Sequence, residues 1–272
     1  MTAIITPDYQ ITWEKLPDDY KLPDDPVDNI NQPFLAAALT ESLELAGKLP
    51  ASALTTTNYG ICATLNGKTV VKAPDWAYIP QIKVSREEVI RSYTPQLEGD
   101  IPVIVMEFLS DPEGSEYSIK FTYPPGKWFF YESILKVPNY AIFEPDSGGL
   151  EVYVLDQDTG RYNLHTPNEN QRYWIEEMNL YLGVWQGTRE NRTGNWLRWW
   201  DESGQLLLWG SELVEQERQR VEQERQRAEQ ERQRAEQEQQ RAEQERQRAE
   251  QERQRAERLA AQLRAAGIEP QD

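Results

Sequence analysis

Two acidic residues stand in apolar, strand-forming surroundings: Asp75 within TVVKAPDWAYIP (residues 69–80) and Glu107 within IPVIVMEFLSD (residues 101–111). An ionised carboxylate inside a buried strand is costly unless a cation neutralises it. If the two strands are neighbours, both carboxylates can converge on one hard cation. Magnesium suits such a pair because it takes oxygen ligands, retains several waters and often accepts only one or two carboxylates from the protein. Magnesium so held, with manganese as a substitute, can polarise a phosphate and activate water for phosphodiester cleavage. The competing explanation is structural: Asp75 ends a strand in a Pro-Asp turn, and Glu107 pairs with a lysine.

Composition removes other chemistries. Cys62 is the only cysteine and His165 the only histidine, so the chain has no internal disulfide, CxxC pair, HExxH motif or Cys/His zinc cluster. His165 lies in NLHTP, a surface-loop setting that suits a Ser-His-Asp triad poorly. The first residues, MTAIITPDYQ, lack a basic region followed by an apolar run and do not read as a signal peptide. No stretch approaches the roughly 20 apolar residues that span a bilayer. The expected location is the cytoplasm, with no membrane contact.

The net charge is −17, and residues 1–213 hold 16 Lys and Arg against 31 Asp and Glu. Such a balance works against long-range attraction to nucleic acid, so binding DNA requires a local basic patch or a bound metal.

The elements that would position the carboxylates follow from periodicity and punctuation. Residues 1–33 read as an extended N-terminal arm, because LPDDYKLPDDPVDNINQP is rich in proline and aspartate. Residues 34–210 form the expected globular domain. It opens with a helix that has Pro33 at its first position, Phe34, Leu35, Ala38, Leu39, Leu43 and Ala46 at helical spacing, and Gly47 as its stop. NYGICATL and KTVVKAPDWAYI then read as a hairpin turning at Asn66-Gly67. Gly60 and the Gly67-Lys68-Thr69 run do not form a phosphate-binding loop, since six residues separate the glycines and no helix follows.

Ser85 and Glu88 have capping-box spacing for a short helix, SREEVIRSY. Ile101–Leu109 reads as a strand covered on both faces. Lys127–Lys136 can form a second main helix with Lys127, Tyr131 and Ile134 on one face, Lys127 lying at the edge turned toward the sheet. YAIFE (140–144) reads as a strand, and LEVYVLDQDTGRYNLH as a hairpin turning at 158–160. Most of the tryptophans fall between Arg172 and Gly210. They could stack bases beside Arg189, Arg192 and Arg198, but closing a core or an interface is the better reading.

Residues 211–266 contain a near-perfect heptad, EQERQRA, followed by a tail at 267–272. One small apolar residue per heptad (Val214, Val221, Ala228 and onward) makes a poor coiled-coil seam, whereas Glu and Arg three and four apart support a solvated single helix or a weak coiled coil.

The order helix, three strands, helix, strand, with Pro74-Asp75 on the second strand and Glu107 on the third, resembles the PD-(D/E)xK nuclease core. In detail, APDW (73–76), VIVMEFLS (103–110), KWFFY (127–131), VPNYAIFEP (137–145) and LYLGVWQG with WLRWWD resemble the Uma-two family of restriction-endonuclease-like proteins. The resemblance covers roughly residues 12–210. It implies an α/β restriction-endonuclease-like core with extra β-hairpins and a long C-terminal helix, acting as a metal-dependent endonuclease on DNA. Asp75 and Glu107 would bind the metal, together with the Phe108 carbonyl. A lysine would orient the attacking water. The superfamily pattern puts that lysine two residues after the glutamate, where this chain has Leu109. The family resemblance moves it to the following helix, at Lys127, with Lys120 as the alternative. A homodimer would suit cleavage of both strands of a duplex. The alternative function is a catalytically inactive nuclease-fold module that binds a partner or nucleic acid and assembles through its C-terminal helix.

Overall fold

The computed structural model describes residues 9–17, 19–20, 30–109 and 115–265. Most of the arm between residues 18 and 29, residues 110–114 and the tail from 266 lie outside the described residues. The chain divides into two compact units, Met1–Gly210 and Ser211–Asp272.

In the first unit, β1 (Ile11–Thr12) precedes α1 (Gln32–Leu45). Pro33 lies in the first turn of α1, where its missing N–H costs nothing, and Gly47 leaves the helix at φ +66°. Leu35, Ala38, Leu39 and Leu43 are buried at helical spacing, as their sequence pattern predicts. After β2 (Leu54–Thr56) comes the hairpin of β3 (Ile61–Leu65) and β4 (Lys68–Lys72). Asn66 and Gly67 both have positive φ, as a tight two-residue turn requires.

The run from Thr69 to Pro80, expected as one strand, is two. β4 stops at Lys72, and β5 (Trp76–Ile79) belongs to a different sheet. Pro74 lies in the gap, without an N–H to continue a ladder. The break leaves Asp75 immediately before β5. The SREEVIRSY helix does not form either. Ser85 N does bond Glu88 Oε1 at 3.1 Å, but the segment makes only turns and Tyr93 then bridges back to Ile61. So short a helix nucleates poorly without a packed face.

β6 (Ile104–Phe108) follows, then a 3-10 turn at Ser115–Tyr117. α2 (Lys127–Phe129) runs directly into a π-helix at Phe130–Leu135, so the second helix is present but mostly wound wider than the α-helix expected. β7 (Asn139–Glu144), β8 (Gly149–Leu155) and β9 (Tyr162–Leu164) complete a sheet of order β2-β5-β6-β7-β8-β9. β6 and β7 are parallel and joined through the second helix; the other neighbours are antiparallel.

This sheet is covered on both faces. Trp76, Ile104, Met106, Phe108, Ala141 and Phe143 belong to a core shared with α1, whereas Ala77, Ile79, Val105, Tyr140 and Ile142 pack with the helix at 127–135 and the β3–β4 hairpin. The alternation is the two-residue period of a strand.

Besides the small β1-β3-β4 sheet, the tryptophan-rich segment makes a further one from β10 (Arg172–Ile175), β11 (Leu180–Arg189) and β12 (Arg192–Trp200), which closes the α1 side. Its arginines do not form a phosphate-binding face. Arg198 is fully buried with its guanidinium 3.4 Å from the Trp209 ring centre, Arg192 lies 3.5 Å over Phe34, and Arg189 pairs with Glu41.

The second unit is carried by α3 (Gly210–Ala265), in which no residue is buried. Its surface is laced with pairs such as Arg220–Glu217 at 2.7 Å and Arg225–Glu222 at 3.1 Å. Among the described residues no helix is long and apolar enough to cross a membrane. The whole is the mixed α/β arrangement of a restriction-endonuclease-like fold, with a long helix at its C-terminal end.

Candidate metal and active site

The register of β5 against β6 pairs Trp76 with Met106 and Ala77 with Val105. One step further along that antiparallel ladder Asp75 falls opposite Glu107, and directly opposed residues project to the same face. That face is the one covered by the helix at 127–135. The Asp75 side chain confirms the juxtaposition: Oδ2 accepts the Phe108 amide at 2.6 Å, the peptide N–H just after Glu107.

Glu107 is fully buried. Its Oε2 accepts from Lys127 Nζ at 2.9 Å and its Oε1 from the Tyr131 hydroxyl at 2.9 Å. The two donors are four residues apart, a spacing that sets both over one point of the sheet. Lys127 also lies 3.7 Å from Glu116 Oε1, and a quarter of its side chain reaches solvent. Lys120, by contrast, is exposed and makes no ion pair with Glu107. Leu109, at the position of the usual superfamily lysine, packs among apolar residues instead.

Burial pushes the Asp75 carboxyl up to about 6, against the pull of the Phe108 amide and Lys127. Burial likewise pushes Glu107 up to about 7; Lys127 and Tyr131 oppose that rise and Asp75 adds to it. For Lys127 burial works to lower the pKa, but Glu107, Asp75 and Glu116 prevail and hold it above the ordinary lysine value. Lys127 is therefore a fixed cation, suited to stabilising negative charge and unsuited to removing a proton at neutral pH. Lys72, three residues before Asp75, is lowered by burial and by the neighbouring Lys127 and Lys120.

Among the described residues, no group of three or more His, Cys, Asp and Glu forms a metal cluster. Two carboxylates remain, with Asp75 Oδ1 free of a protein partner among the described residues. Both are raised by burial, a condition that a divalent cation relieves. That donor set fits magnesium, which fills its shell with water, better than a metal that demands a protein cage. The Phe108 carbonyl accepts from Gln32 Nε2 at 2.7 Å and retains a second lone pair.

Sequence reasoning missed Gln32 and Glu116. Gln32 is buried at the start of α1, 76 positions from the carbonyl it holds, and only the fold brings the two together. Glu116 lies in the short 3-10 turn at Ser115–Tyr117, which has no periodic signal in the sequence.

A family model described as "Putative restriction endonuclease", Uma2, matches residues 32–189, more than half of the chain. The chain belongs to the Uma2 family. The matched segment contains the three groups brought together here: Asp75, Glu107 and Lys127. Comparison with curated proteins finds no match. Membership in Uma2 supports a nuclease-like function for the first unit.

Proposed function

We propose that this Uma2 protein is a divalent-metal-dependent endonuclease that hydrolyses phosphodiester bonds in DNA. The observation that carries the reading is the placement of Asp75 opposite Glu107 at the ends of two inner strands of a buried sheet, with the cation of Lys127 on Glu107. Asp75 and Glu107 would hold magnesium or manganese, which would polarise the phosphate and lower the pKa of a bound water. Lys127 stays protonated beside Glu107 and is partly exposed, so it would stabilise charge that develops on the phosphate oxygens. Tyr131 fixes the rotamer of Glu107 from below, and the Phe108 amide fixes Asp75. Neither carboxylate can swing away without losing a bond. Gln32 holds the backbone just after Glu107, through the Phe108 carbonyl.

The test is nicking of supercoiled plasmid by wild type, Asp75→Ala, Glu107→Ala and Lys127→Ala, with magnesium, manganese or chelator. Cutting that needs metal and disappears in the three variants is expected. Full-rate cutting by Asp75→Ala and Glu107→Ala would remove the assignment.

One observation favours a second reading. The Lys127–Glu107 pair at 2.9 Å neutralises the buried carboxylate without any metal, as an inactive nuclease-fold binding module would require. In that case magnesium leaves the melting temperature unchanged and the plasmid intact.

A further inference from the structure

The segment from Glu116 to Lys127 makes an excursion whose ends are both fixed at the site: Glu116 lies 3.7 Å from the Lys127 ammonium, and Lys127 itself closes the segment. The excursion folds back on itself, with Gly126 N donating to Lys120 O at 2.8 Å and Phe129 N approaching Ser118 O. It is also tied to the β3–β4 hairpin. The Tyr123 hydroxyl donates to Thr69 O at 3.0 Å, and Lys68 Nζ lies 5.1 Å from the centre of the Tyr123 ring.

Among the described residues, the exposed large aromatic rings fall in and just before this lip. Ile119 is 71% exposed, Phe121 57% and Tyr123 47%. Lys68 reaches the Tyr123 ring, Lys120 lies within the lip and Lys127 ends it, within a unit whose overall balance is strongly acidic. Exposed rings carry no sequence code, yet each can stack an unpaired base, and neighbouring lysines can follow the phosphates. In a duplex the base faces are already stacked and offer nothing to such rings.

We infer that the lip formed by residues 118–126 and β4 binds single-stranded DNA, delivering an unpaired strand to the Asp75–Glu107 site. The inference rests on the nuclease reading of that site and names its substrate class. Phe121 is the stacking platform, Lys68 and Lys120 are the phosphate contacts, and Tyr123 braces the lip against the hairpin.

The experiment measures fluorescence anisotropy of a labelled oligothymidine of about 12 nucleotides, within the range one such surface covers. A duplex of equal length and an oligouridine are the comparisons. The full chain is used, in chelator, so that no cutting intervenes. Wild type should bind the single strand at least tenfold more tightly than the duplex. Phe121→Ala should weaken that binding by about tenfold, and the double variant Lys68→Ala/Lys120→Ala should reduce the salt slope by about 1.4. Equal affinity for duplex, preference for oligouridine, or single-strand binding unchanged in both variants would overturn the inference. Because binding is read without cleavage, a chain that cuts duplex plasmid yet ignores the oligonucleotide overturns this inference and spares the nuclease reading. A chain that binds but never cuts does the reverse.

Discussion

Asp75 accepts the amide hydrogen of Phe108 at 2.6 Å, so the first acid is clamped to the peptide group that follows the second. The bond spans the point where β5 is about to begin and β6 ends. It makes the separation of the two carboxylates a property of the sheet rather than of flexible side chains.

That clamp does not relieve the cost of burial at Asp75. With a folded-state pKa near 6 against an ordinary value of 3.8, the folded protein binds more protons than the unfolded chain between those values. Asp75 therefore reduces stability as pH rises through the window, by an upper bound of about 3 kcal/mol above it. In chelator, Asp75→Asn should melt higher than wild type at pH 8, with the gap closing toward pH 4. Thermal denaturation across that range checks it, and a gap independent of pH would contradict the assigned burial cost. Magnesium should raise the melting temperature of wild type and leave that of Asp75→Asn nearly unchanged.

Removing the Lys127 ammonium leaves a buried carboxylate whose remaining partner is a tyrosine. Lys127→Met should lose about 1–3 kcal/mol at pH 8 and less at pH 6, where Glu107 can take up a proton instead. Its kcat should fall by about 100- to 1,000-fold. Urea denaturation and plasmid nicking separate the two effects. A variant as active as wild type would show that the cation serves only the fold.

Tyr131→Phe deletes one of the two bonds that hold Glu107. The tyrosine hydroxyl lowers the Glu107 pKa, so its loss raises that pKa and should move the acid limb of the activity profile to higher pH. A stability loss of about 1–2 kcal/mol should accompany the shift. An unchanged acid limb in the pH–rate profile would mean that Glu107 does not control it.

Gly126 precedes α2 at a point where the chain passes against itself. A Cβ added there would lie 2.1 Å from the carbonyl oxygen of Ser118, closer than any side chain can tolerate. Gly126→Ala should force the 118–126 loop away and displace Lys127, lowering kcat by more than about tenfold. Circular dichroism should show the rest of the domain folded.

Asp75 and Glu107 were legible because each is an anomaly, a charge in a run that otherwise predicts burial. Lys127 was legible through its spacing to Tyr131, and that relation survives even though the helix is π-wound from Phe130. The break between Lys72 and Trp76 was not legible. A β-prone run with a proline inside it reads equally well as one interrupted strand or as two strands of different sheets, and only long-range pairing decides. The contact of Gln32 with Phe108 depends on the docking of α1, which no local pattern encodes. The SREEVIRSY segment carries a real capping bond at Ser85, but its next residues are drawn off toward Ile61 before a second turn can form.

Trp76 follows Asp75 directly, donates its Nε1–H to Thr40 at 2.9 Å and lies 5.9 Å from Trp199. Trp199 belongs to the same core as Trp196 and Trp209, so the residue beside the first acid packs into a core of buried indoles on the α1 side of the sheet. The emission of this chain is therefore a built-in optical gauge. Its wavelength should register the dryness of the core, and a change on titrating magnesium would report the backbone at Asp75 from the neighbouring residue.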